Sequence, residues 1–198
     1  MLDSEDWREV LEANYSALEG RGYSGSAAQA VERSVASLCY AFRIYSSVKE
    51  GTLTSEALGT PFTFGAGDHS YQVIISKPYS EIQLADGSWN LVLSAFAMSA
   101  TACHRAFQER FRKKSPDINP GDDREQAWAI IYQLRNAFAH DPFQPVFVPS
   151  SGYHRTYSVA SRGITFDFAA LAGKEFRTDL LAFDDYLELV MLSLDLTS

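Results

Sequence analysis

One short segment of this chain gathers side chains able to act on a phosphate ester: Arg135-Asn136-Ala137-Phe138-Ala139-His140. An arginine presents a planar fork of N–H donors that suits phosphate oxygens and keeps its charge. A histidine can take or give a proton near neutral pH. The two together are enough to cut RNA without a metal. The imidazole serves the 2'-hydroxyl or the leaving oxygen, and the guanidinium stabilises charge growing on a phosphorane-like transition state. Arg135 and His140 are five positions apart, so on a helix they sit roughly 140° apart and share an edge. Asn136 and His140, four apart, stack on one face.

The element that must carry these residues is a helix starting at Asp122 or Asp123, with Glu125 in its first turn. Ala127, Ile130 or Ile131, Leu134 and Phe138 recur at core-facing spacing. The helix must stop near His140, because Asp141 precedes Pro142 and a pre-proline residue avoids the α region. His140 therefore closes the helix, where the dipole favours positive charge.

Arg-Asn-x-x-x-His at the end of a long helix resembles the Arg-(four to six residues)-His motif of the HEPN superfamily (higher eukaryote and prokaryote nucleotide-binding domains), with Asn136 as the polar residue after the arginine. The resemblance in sequence detail covers residues 122–145. It implies a mainly α fold, a bundle of four to five helices. It implies a metal-independent endoribonuclease of toxin–antitoxin or phage-defence type, with Arg135 and His140 catalytic and Asn136 supporting them. It also implies a homodimer in which two copies of the motif meet, with RNA or a nucleotide as ligand and a cognate antitoxin protein as a possible partner. Some members have lost catalysis, so a non-catalytic nucleotide-, RNA- or protein-binding module is the alternative.

A structural helical protein is the second alternative. In that reading Arg135 and Asn136 belong to an internal hydrogen-bond network; taken singly, His140 caps the helix by bonding terminal carbonyls, Arg135 pairs with Asp141 or another acid, and Asn136 bonds locally to the backbone.

The rest of the chain reads as further helices with two interruptions. Asp3 or Ser4 opens a first helix carrying Trp7, Val10, Leu11, Tyr15 and Leu18. A second runs from Ser26 to Lys49, with Val31, Val35, Leu38, Phe42 and Tyr45 on its apolar face and Gly51 ending it. Residues 51–87 lose helical periodicity, and Tyr71–Ile75 and Glu81–Leu84 read as short strands or ordered loop packed over the helices. A third helix runs from about Ser88 to Lys113. After Pro145–Val148, the runs Arg155–Ala160 and Gly163–Phe168 alternate as a β-hairpin. A turn of helix at Ala169–Ala172 and a last helix from Thr178 to Leu196 complete the chain.

At 198 residues a single domain spanning 1–198 is expected, with 51–87 an insertion and 145–168 an elaboration. A net charge of -8 argues against a non-specific nucleic-acid coat protein. The basic run His104, Arg105, Arg110, Arg112, Lys113, Lys114 reads as a solvated helix end rather than an RNA track. Cys39 and Cys103 fit no redox or metal spacing and read as buried thiols. His69, placed in a loop, and His154, placed in a strand, have no second ligand at metal spacing. Neither a metal nor a cofactor is expected. The acidic start lacks an apolar signal region, and the stretch Leu91–Cys103, 13 residues long, is too short to cross a bilayer and fits a buried core helix. The expected compartment is the cytoplasm, with no membrane partner.

Overall fold

A computed structural model describes residues 26–66, 69–75, 77–176 and 183–195. The expected first helix, Asp3 to Leu18, and the start of the last one, Thr178 to Ala182, lie outside the described residues. The described chain is mainly helical: α1 (Ser26–Lys49), α2 (Ser55–Gly59), α3 (Glu81–Phe111), α4 (Asp123–His140), α5 (Phe168–Leu171) and α6 (Phe183–Asp195). Two antiparallel hairpins accompany them, β1 (Phe62–Ala66) with β2 (His69–Val73), and β3 (Thr156–Val159) with β4 (Ile164–Asp167). No helix among the described residues is long and apolar enough to cross a membrane.

Two compact units divide the chain, their boundaries falling inside α1 and α3: Cys39–Val92 forms one, and Met1–Leu38 with Leu93–Ser198 the other. In the smaller unit Tyr45 of α1 and Trp89 of α3 meet at 5.3 Å between ring centres. The β1–β2 register pairs Phe62 with Val73 and Ala66 with His69, so His69 lies in a strand rather than a loop. Glu81–Leu84 is the first turn of α3 and not a strand, and α3 starts seven residues before Ser88. The cause is a capping box. Ser80 N–H donates to Gln83 Oε1 at 2.9 Å, and Gln83 N–H donates to Ser80 Oγ at 3.2 Å, satisfying two N-terminal donors reciprocally. At its other end α3 stops at Phe111 rather than Lys113, where Arg112 takes a left-handed φ of 53°.

In the larger unit an aromatic cluster fixes the helices. Phe96 of α3 stacks on Phe138 of α4 with centres 6.3 Å apart, and meets Tyr186 of α6 edge-on at 5.0 Å. Phe176 fills the space beside them, 4.9 Å from Phe138. Burying rings of this size is the largest apolar contribution a core can draw on, about 1.5–3 kcal/mol for each. The β3–β4 hairpin has the expected alternation: Tyr157, Val159, Ile164 and Phe166 are buried, while Thr156, Ser158, Thr165 and Asp167 face out. The link between its strands is a single 3-10 turn, Ala160–Arg162, closed by Gly163 at φ 68°, a left-handed position that suits glycine. Asp123 ties this hairpin to the start of α4, its carboxylate accepting from Ala160 N–H at 3.1 Å and Ser161 N–H at 2.8 Å. Met98 and Leu91 lie exposed on α3, so the Leu91–Cys103 stretch is only partly a core segment.

Candidate functional site

Asp122 sets the start of α4. Its Oδ1 accepts from Arg124 N–H at 3.0 Å and Glu125 N–H at 2.8 Å, occupying donors that the helix leaves open. Ala127, Ile130, Ile131, Leu134 and Phe138 are all buried. That inward face fixes the rotation of the helix and therefore where the remaining side chains point. Arg135 and Asn136 are half-buried and His140 is exposed. The motif is thus graded from the helix flank to its solvent-facing end.

Arg135 Nη1 donates to Asn136 Oδ1 at 3.0 Å. Among the described residues no carboxylate forms an ion pair with Arg135. Asp141, the acid nearest in sequence, is engaged elsewhere: it takes the C-cap position of α4 with φ -148° and ψ 110°, and its Oδ1 accepts from Phe143 N–H at 2.8 Å and Gln144 N–H at 3.1 Å. The guanidinium therefore keeps a partly open cation, with one nitrogen steered by a neutral amide oxygen.

A second histidine, not singled out from sequence as part of this neighbourhood, lies nearby. His104 of α3 is 6% exposed, although its run of basic neighbours marks a solvated helix end. Trp128 Nε1 donates to His104 Nδ1 at 3.0 Å, and the Tyr132 ring centre lies 5.3 Å from the imidazole. Accepting at Nδ1 leaves the imidazole neutral, with its proton on Nε2. Burial, and after it the positive charge of Arg135, pushes the His104 pKa down to about 4. The signal available in sequence was the spacing of Trp128, Tyr132 and Arg135, which places them on one narrow face of α4. Of the expected basic run, Lys113 pairs with Asp117 at 2.6 Å.

His154 precedes β3 rather than lying in it, and its Nε2 bonds the Pro149 carbonyl oxygen at 2.7 Å. Among the described residues no group of His, Cys, Asp and Glu is placed to hold a metal ion. Cys103 is buried and Cys39 half-buried. An open cleft of about 510 Å³ is lined by Ser115, Pro116, Asp117, Ile118, Asn119 and Tyr153; it shares no residue with the motif. Of the acidic residues early in α6, Asp184 is exposed and Glu188 pairs with Arg162 at 2.8 Å, a solvated face. No family model, curated protein or solved structure matches this chain.

Proposed function

We propose that this chain is an HEPN-like, metal-independent endoribonuclease whose centre is Arg135, Asn136 and His140. The observation that carries this reading is the half-buried Arg135, bonded to Asn136 and free of any carboxylate pair among the described residues, on the last turns of the helix that His140 closes at the surface. An arginine already countered by an acid would have little attraction left for phosphate. One oriented by a neutral oxygen keeps its charge for a ligand while losing side-chain freedom in advance.

In the proposed reaction His140 takes the proton of an RNA 2'-hydroxyl. The 2'-oxygen forms a bond to the adjacent phosphorus, and the bond from phosphorus to the 5'-oxygen breaks. The departing oxygen is protonated, and a cyclic phosphate remains. Arg135 compensates the negative charge on the non-bridging oxygens. A homodimer bringing two motifs together would supply one imidazole as base and another as acid.

A binding module without turnover is favoured by a different observation, the net charge of -8, which repels a polyanion outside the immediate site. The two readings separate in one experiment. A mixed RNA pool is incubated with wild-type and His140→Ala protein, with EDTA present throughout. Cutting by the wild type alone supports the ribonuclease. Equal cutting by both rejects His140 as its centre, and no cutting by either leaves a binding or a structural role for the motif.

A further inference from the structure

An RNA-cutting site has to hold a nucleoside as well as a phosphate, and the turn after α4 presents a group suited to that. We infer, resting on the ribonuclease reading, that Phe143 is a base-stacking residue of the site.

Phe143 lies three positions beyond His140 and is 54% exposed, whereas Phe96, Phe107, Phe138, Phe147, Phe166 and Phe168 are buried. A single exposed apolar side chain is ordinary; what sets this one apart is where and how it is held. The Asp141 carboxylate accepts the backbone N–H of both Phe143 and Gln144. Pro142 restricts the chain between them. Downstream, Pro145 and Phe147 are buried, and Phe147 N–H donates to Lys174 O at 2.9 Å. The turn is therefore fixed at both ends with its ring outside, and most of the ordering cost is met on folding rather than on binding.

The chemistry that fits a solvent-facing phenyl ring on a fixed turn, three residues past the imidazole that closes α4, is a nucleobase. Stacking is indifferent to base identity, because every base has a π-face. It does require that face to be uncovered. In an A-form duplex the bases cover one another and the major groove is too narrow for a side chain to read. A lone ring on a tight turn thus selects unpaired strands and loops.

The test uses a fluorescein-labelled, 2'-O-methyl single strand, which cannot be cut, so binding is read whether or not the protein is a nuclease. A matched strand carrying abasic sites, and a duplex of the same sequence, are the controls. Phe143→Leu is expected to weaken binding of the base-bearing strand about tenfold, and Phe143→Trp to retain it. The abasic strand should bind wild type and Phe143→Leu equally, and the duplex should bind weakly to both. Tryptophan fluorescence of the Phe143→Trp protein should be quenched by the base-bearing strand and not by the abasic one. Equal affinity of wild type and Phe143→Leu for the base-bearing strand would overturn the inference. So would an equal loss on the abasic strand, preferred binding of the duplex, or a change from dimer to monomer in Phe143→Leu by sedimentation, which would make the ring a contact between copies. Phe143-dependent binding without cleavage of ordinary RNA would remove the ribonuclease reading and leave this one standing. Cleavage with an unchanged KM in Phe143→Leu would do the reverse.

Discussion

Trp128 on α4 donates its indole N–H to Nδ1 of His104 on α3, 3.0 Å away, beneath the face that carries Tyr132 and Arg135. Burial, and after it the positive charge of Arg135, pushes the pKa from 6.5 down to about 4, and a proton on Nδ1 would also abolish this bond. The sign follows. Between about 6.5 and about 4 the unfolded chain binds a proton at His104 that the folded protein refuses, so stability falls as pH is lowered through that window. Above about 6.5 the residue is neutral in both states and makes no difference. Urea denaturation at pH 7.5 and pH 5 should show a larger loss for wild type than for His104→Phe, which has nothing to protonate. At pH 7.5 that variant should itself be weakened by about 1–3 kcal/mol, because the Trp128 N–H is left without an acceptor. An imidazole titration midpoint near 6.5 in the folded protein, read by NMR, would contradict this account.

The parts legible in sequence were those set by neighbours along the chain. The bounds of α4 follow from a capping carboxylate at Asp122 and a pre-proline stop at Asp141, both local, and the structure has the helix at Asp123–His140. Gly51, at φ 71°, closes α1 for the same kind of reason. The start of α3 is hidden by Gly87, the last residue of the 51–87 stretch that lacks helical periodicity. Nothing lies within 4 Å of where its Cβ would be, and its cost of about 1 kcal/mol relative to alanine is absorbed in a helix of 31 residues. The capping box at Ser80 and Gln83 was present in the sequence all the same. His104 illustrates what no local pattern reveals. Its partner Trp128 is 24 residues away, and only the packing of α3 on α4 turns a residue in a basic run into a buried acceptor. The turn that carries Phe143 is similarly hidden, because it depends on Asp141 bonding the Phe143 and Gln144 N–H groups rather than Arg135.

Arg135 and Asn136 are joined by one hydrogen bond, and the two can be probed separately. Arg135→Lys preserves the charge but loses the planar fork and the bond to Asn136 Oδ1. On the proposed ribonuclease reading, RNA cleavage is expected to fall by about a hundredfold, the scale on which loss of a single transition-state donor is felt. Asn136→Ala leaves the guanidinium in place but unsteered and should cost less, about tenfold, with a greater effect on kcat than on KM. Both side chains are only half-buried, so circular dichroism and melting should change little. Full activity in Arg135→Lys would show that point charge suffices and that the fork has no role.

Both thiols are shielded. Burial pushes the Cys103 pKa up to about 12 and that of Cys39 up to about 11. At pH 8 each has far less thiolate than a free cysteine, and the thiolate is the reacting form. Iodoacetamide should therefore modify native Cys39 about a hundredfold more slowly than a free thiol, and Cys103 more slowly still, with both becoming reactive in urea. Mass spectrometry of timed samples reads this directly. Rapid native labelling of Cys103 would mean that α3 opens locally far more often than a core helix does.

The end of α4 depends on Phe138, two residues before His140. Its ring stacks on Phe96 at 6.3 Å and meets Phe176 at 4.9 Å, so it anchors the last helical turn against α3 and the chain before α6. Phe138→Ala removes both contacts and leaves a cavity, a loss of about 3–5 kcal/mol. Phe138→Leu keeps most of the volume and should cost less. The informative comparison is between stability and activity. Because Phe138 lies within the motif, the proposed ribonuclease reading expects Phe138→Leu to lower RNA cleavage more, relative to its cost in stability, than a core change in the β3–β4 hairpin such as Ile164→Val. Unfolding curves measured beside cleavage rates for the two variants decide it. If both lose activity only in proportion to stability, the aromatic anchor supports the fold without positioning His140.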